Sequence, residues 1–194
     1  MSGLDYSPAT LFELFLSDDV VESIASSSDQ YARQTENHSF QLTTDDLRLF
    51  LAILFTSGYC VLLSRRMQWE CSPDVLNEAI SKAMPRNRFE EILRFIHLAN
   101  SNALDSSDKS VKVRPPFNFL NDSFLQHFPI TQQLSVAESL IPYFGHHSAK
   151  QFIRGKPIRF GYKVWCLTTQ LGSRILIQFN PYQGQLTVHM VILV

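Results

Sequence analysis

Residues 134–165, LSVAESLIPYFGHHSAKQFIRGKPIRFGYKVW, contain the change of pattern that decides the fold. Up to residue 128 the apolar residues recur at helical spacing. From Leu134 they gather instead in short runs of branched and aromatic side chains, at Leu134–Ala137, Ile158–Thr169 and Arg174–Asn180. Gly145, Gly155-Lys156-Pro157, Gly172-Ser173 and Pro181 separate these runs, and such punctuation between β-favouring segments predicts strands in a meander. The expected class is α+β: a helical unit over residues 7–128, the first strands of a sheet over 132–184, and a divergent apolar tail over 185–194. Charge changes at nearly the same place. Residues 1–138 hold all eighteen acids and eleven of the seventeen Lys and Arg, a net charge of −7, whereas residues 139–194 hold the other six bases and no acid. A break of this size suggests two units with different partners.

Working back from the strands, the helices announce themselves by their starts. Ser7-Pro8 offers an N-cap and a first-turn proline ahead of Leu11, Leu14 and Phe15. Ser17 with Asp18 and Asp19 opens a second helix carrying Val20, Val21, Ile24 and Tyr31. Thr43-Thr44-Asp45-Asp46 places hydroxyl caps and carboxylates at the positive end of a third, with Leu47, Phe50, Leu51, Leu54 and Phe55 as its apolar set. This third helix is expected to be the central one. Ser72-Pro73-Asp74 repeats the start signal, and Arg86–Ala99 is the clearest amphipathic helix, with Phe89, Ile92, Leu93 and Ile96 inward. Its outer arginines are either a solvated face or a surface for phosphate. After a polar stretch at 100–110, Pro115-Pro116 opens an aromatic helix with Phe117, Leu120, Phe124, Leu125 and Phe128.

Several function classes are disfavoured. Cys60, Cys71 and Cys166 form no CxxC pair and cannot alone build a disulfide framework or a four-ligand zinc site, which points to a reducing, intracellular compartment. The N-terminus lacks a signal pattern, and the apolar stretch Leu47–Phe55 falls short of the roughly 20 residues that span a bilayer. No membrane association, cofactor, resident metal or small-molecule substrate is expected. The adjacent pair His146-His147 has no nearby cysteine or acid to complete a metal site, Cys166 in KVWCLTT reads as a small core residue, and Trp69 and Trp165 read as anchors.

Leu134–Trp165 resembles the signature of the piggyBac transposase family and its host-domesticated, transposable element-derived relatives. Met84–Ala99, Lys112-Val113-Arg114-Pro115 and the opening LFELFLSDDVVESI are similar to the same family, so the resemblance runs over about residues 8–184 in the family's order. It implies a ribonuclease H-like domain in which three aspartates hold two Mg²⁺ ions. The position matching the first aspartate is Ala137, which offers no oxygen. Glu138 matches a glutamate of the family's own pattern, and on a strand it aims away from the face of position 137. In the family the other two aspartates lie further on; residues 139–194 hold no acid, so the sheet begun here is expected to be incomplete and catalysis absent.

What the resemblance leaves is binding. Lys150, Arg154, Lys156, Arg159 and Lys163, interleaved with His146, His147, Phe152, Phe160 and Tyr162, form the candidate patch for the phosphates of double-stranded DNA. A homodimer, or a heterodimer with related transposases, is the other family-implied partnership, in the nucleus if the family is followed and otherwise in the cytoplasm. Two further readings stay open: a protein-interaction or structural remnant with no nucleic-acid role, since residues 1–138 are acidic overall, and an unstable truncated isoform, since an unfinished sheet leaves an edge and an apolar tail exposed.

Overall fold

The structure, a computed structural model, describes residues 7–100, 108–128, 133–170 and 175–183. Most of the polar stretch 100–110, the Gly172-Ser173 break with the expected strand start at Arg174, and the tail 185–194 lie outside the described residues. These fall into two compact units, one drawn from Ser17–Asn102 and the other from Met1–Leu16 with Ala103–Val194. The compact units and the composition therefore divide the chain along different lines.

In the Ser17–Asn102 unit, helix α2 (Asp18–Gln34) follows Ser17, whose hydroxyl makes no cap bond, so that Asp18 and Asp19 are left to complement the positive end. Helix α3 (Thr44–Tyr59) is capped as expected, the Thr43 hydroxyl accepting from the Asp46 N–H at 3.1 Å. It packs against α2, α4 (Glu78–Ala83) and α5 (Arg86–Phe95), which confirms its central place. Its buried set is Leu47, Phe50 and Ile53, whereas Phe55 is 58% exposed. At about 100° per residue the buried arc is centred on Phe50, and Phe55 falls on the far side of the helix. Phe89 of α5 meets Phe50 at 4.8 Å and Trp69 at 5.0 Å between ring centroids. Trp69 ends a short 3-10 helix, Arg65–Trp69, and donates its indole N–H to the Met84 carbonyl at 2.8 Å.

Two helix expectations in this unit need correction. Ser72-Pro73-Asp74 starts only a single turn, in which the Ser72 carbonyl accepts from Val75 and Leu76. The helix proper begins after Asn77, whose side chain accepts from the Ile80 N–H and so offers the better cap. Helix α5 ends at Phe95 instead of reaching Ala99, and Phe95 takes the buried place assigned to Leu93 and Ile96. The buried Ser28 hydroxyl of α2 accepts from the His97 N–H at 3.0 Å, pulling the chain out of the helical path. The outward arginines of α5 also have internal work: Arg88 bonds Asp46 and Glu91, each at 2.7 Å, and Glu90 accepts from Arg66 at 2.7 Å.

In the other unit, helix α1 (Pro8–Phe15) starts where the Ser7 hydroxyl accepts from the Thr10 N–H, and its Phe15 ring packs on Phe124 and Phe128 of α6 (Arg114–His127). The sheet is antiparallel. Strand β3 (Phe160–Thr169) is central, with β1 (Leu134–Pro142) on one side and β2 (Lys150–Phe152) and β4 (Leu176–Pro181) paired to its two ends on the other. Strands β1, β3 and β4 make the expected meander; β2 is too short to show an alternation in sequence. Gly161 permits the close approach of β1, because a Cβ there would sit 1.9 Å from the Ile141 carbonyl oxygen. Strand β1 has no strand on its outer side among the described residues.

Helix α6 closes the opposite edge. The buried Asn121 donates to the Phe179 carbonyl and accepts from the Phe179 N–H, both at 2.9 Å, so one carboxamide imitates a neighbouring strand. Phe117 and Phe124 pack on the Phe179 ring. Replacing Asn121 with alanine leaves both backbone groups unpaired and is expected to lower the unfolding free energy by about 1–3 kcal/mol. Chemical denaturation followed by circular dichroism measures this, and an unchanged midpoint would show that the carboxamide does not hold β4.

Candidate functional site

The register of β1 on β3 sets Ala137 opposite Cys166 and Glu138 opposite Trp165. Because side chains alternate along a strand, the two residues look out from opposite faces of the sheet. On the face of Ala137 the neighbours are Ser135, Ser139, Val164, Cys166 and Thr168, with Phe179 beyond on β4. None is a carboxylate. Ala137 presents an exposed methyl group, and burial pushes the Cys166 thiol up, as suits an inert core residue.

On the other face Glu138 is occupied. Its carboxylate accepts from Lys163 Nζ at 2.7 Å and from Lys156 Nζ at 3.2 Å. The hydrogen bonds from Lys163, then Lys156, hold the Glu138 carboxyl below the usual carboxylate range. Lys163 is largely buried, its ammonium 4.2 Å from the Trp165 ring centroid and 5.2 Å from that of Tyr182. A cation held between a carboxylate and two aromatic faces serves the sheet before it serves a ligand.

The basic residues singled out in the sequence therefore separate. Lys156 and Lys163 pair with Glu138. Lys150 turns its ammonium onto the carbonyls of Phe144 and Gly145, at 3.3 and 3.0 Å, and lies 5.2 Å from the Phe160 ring centroid. Arg154 and Arg159 are exposed, and neither side chain has an ion pair or hydrogen bond among the described residues. They flank the turn of the β2–β3 hairpin, where Gly155 takes a φ of +86° that favours glycine, and the Ile153 N–H donates to the Arg159 carbonyl at 2.9 Å just inside them. His147 has a local role: its Nδ1 accepts from the Ala149 N–H at 3.2 Å, and its ring meets Tyr162 edge-on at 5.3 Å.

Two features of the site have weak sequence signals. Phe144, Phe152 and Phe160 are 85%, 58% and 45% exposed, although aromatic residues in strand-like runs suggest a core. A groove of about 450 Å³, lined by Lys109, Lys112, Phe117, Ile141, Tyr162 and Tyr182 among others, brings together stretches too distant in sequence to be associated by pattern. At its rim Arg114 bonds Asp108 at 2.8 Å and holds that carboxyl below its usual range.

Comparison with known proteins matches residues 7–189 to a family model described as Transposase IS4. The chain is 43% identical over 186 residues to human PiggyBac transposable element-derived protein 2, covering 96% of this chain and 31% of that protein. It is 45% identical over 179 residues to human PiggyBac transposable element-derived protein 3, covering 92% and 30%. The chain thus spans about a third of the length of these curated relatives. Among solved structures, a piggyBac transposase synaptic complex with hairpin DNA, determined by cryo-electron microscopy, has a similar fold. The TM-score is 0.77 at 20% identity, covering 96% of this chain and 41% of that one.

A carboxyl held below its usual range contributes stability that is complete above the unfolded-state value and is lost as pH falls through the folded one. Glu138→Gln is therefore expected to flatten the loss of stability on acidification at and below the usual carboxylate range. Denaturant midpoints of both proteins across that range test it, and identical pH profiles would contradict the pairing.

Proposed function

Because the chain belongs to the piggyBac-type transposase family and is transposase-derived, we propose that it associates with DNA without cutting or joining it. In this reading the four-stranded sheet is the opening part of a ribonuclease H-like core, with residues 7–128 and 132–184 contributing its helical and sheet parts. Position 137 stands where the first metal-binding carboxylate would be. The residues present do not fit a Mg²⁺ site there: the face of Ala137 carries a methyl group, hydroxyls and a thiol, and the adjacent carboxylate is turned away and neutralised by two lysines. No step of the reaction is assigned to this chain.

The observation that carries DNA association is the pair of exposed guanidinium groups, Arg154 and Arg159, without internal partners on a hairpin within an acid-free stretch. Arginine is suited to such a place because its planar fork matches phosphate oxygens. The net charge of −7 over residues 1–138 opposes broad adhesion to DNA and favours contact through this hairpin. Pairing with itself or with related transposases, and a nuclear location, accompany this reading as further parts of the proposal.

Arg154→Glu with Arg159→Glu is expected to abolish retardation of duplex DNA in a gel shift at low salt. Replacing both by glutamine should lower the salt slope of log affinity by about 2, one for each phosphate released. Binding that survives the charge reversal would remove the assignment. Ala137→Asp is expected to show no nicking or joining of transposon-end DNA with Mg²⁺ or Mn²⁺, and activity above a mock preparation would overturn the non-catalytic reading.

A further inference from the structure

The hairpin that carries the two arginines also carries unburied aromatic rings. Phe152 and Phe160 pair directly across β2 and β3, so they share one face, with ring centroids 4.9 Å apart. The Lys150 ammonium lies beside Phe160 on the same face, tethered to two backbone carbonyls. Arg154 follows Phe152 by two residues and Arg159 immediately precedes Phe160, so each ring has an unpaired guanidinium within a few ångströms of chain. We infer that the β2–β3 hairpin is a stacking platform for unpaired nucleotides, Phe152 and Phe160 receiving base faces while Arg154 and Arg159 receive the neighbouring phosphates.

The inference rests on the nucleic-acid association proposed above and makes it more specific. Within a duplex the faces of the bases are covered by their neighbours, and only edges and phosphates are accessible. A phenylalanine has no donor or acceptor for a base edge, so exposed rings add little to duplex contact. In a single strand every base has a free face, and stacking on an aromatic ring is tolerant of sequence. An apolar protein partner would account for the rings but not for the unpaired arginines between them. The combination of flat apolar surface with positive charge and no nearby acid fits a polyanion that displays flat apolar groups.

The test uses the full chain and two fluorescent probes, an oligodeoxythymidylate of about 16 nucleotides, the upper end of stacking-site sizes, and a duplex of the same length. Anisotropy titrations at one salt concentration are expected to show the single strand bound at least as tightly as the duplex. Phe152→Ala with Phe160→Ala should weaken single-strand binding about tenfold or more, in line with the loss of base stacking, and leave the duplex within about twofold. Phe152→Trp with Phe160→Trp keeps flat rings in place and should retain single-strand binding, which separates stacking from a folding defect. Duplex binding with no effect of the alanine pair on the single strand overturns the platform and leaves DNA association standing. An equal loss on both probes also overturns it. Failure of the parent chain to bind either probe overturns both readings.

Discussion

The pairing of β1 with β3 is the constraint from which the rest of the sheet unit follows. One register, Ala137 to Cys166, decides that the position of catalytic interest faces serines, a threonine and a thiol, and that the adjacent glutamate looks the other way. A slip of one residue would exchange the two faces. Several contacts oppose such a slip: Gly161 fits under the Ile141 carbonyl where no side chain would, and Glu138 meets two lysines across the ladder. The same ion pairs withdraw Lys156 and Lys163 from the surface charge, leaving the hairpin turn as the place where positive charge is uncommitted.

The helical unit solves a different problem, fitting many aromatic residues around one helix. Phe50 and Phe89 form the centre, and Arg88 lies at the margin, bound to Asp46 and Glu91 with its guanidinium 5.4 Å from the Phe40 ring centroid. Such an arginine joins α5 to the start of α3 through hydrogen bonds that are worth more than those of a freely solvated pair. Its charge is thereby spent within the unit. Both units thus neutralise most of their cations internally, and the chain's near-neutral total conceals a sharply local distribution.

Much of this was legible in the residues because the signals are short-range. Thr43 with Asp45 and Asp46, Ser7 with Pro8, and the change from helical spacing to branched runs at Leu134 are each properties of a few neighbouring residues. The misreadings arose where a distant partner intervenes. Helix α5 stops at Phe95 because Ser28, far back in the chain, takes the His97 N–H, and Asn77 outcompetes Ser72 only once the bond to Ile80 is seen. For the site, the opposite orientation of Ala137 and Glu138 follows from strand alternation alone. Which basic residues are free does not, because Lys156, Lys163 and Lys150 are taken up by a carboxylate and carbonyls that sequence order cannot place beside them.

Asn121 closes the β4 edge of the sheet with a side chain, whereas the outer edge of β1 meets no strand among the described residues. The sheet accordingly has a polarity of growth. Any further strand, whether from a longer version of this chain or from another copy, adds at β1 and lies beside Ala137, so the same backbone edge that would extend the sheet also determines what becomes the neighbour of the vacant carboxylate position.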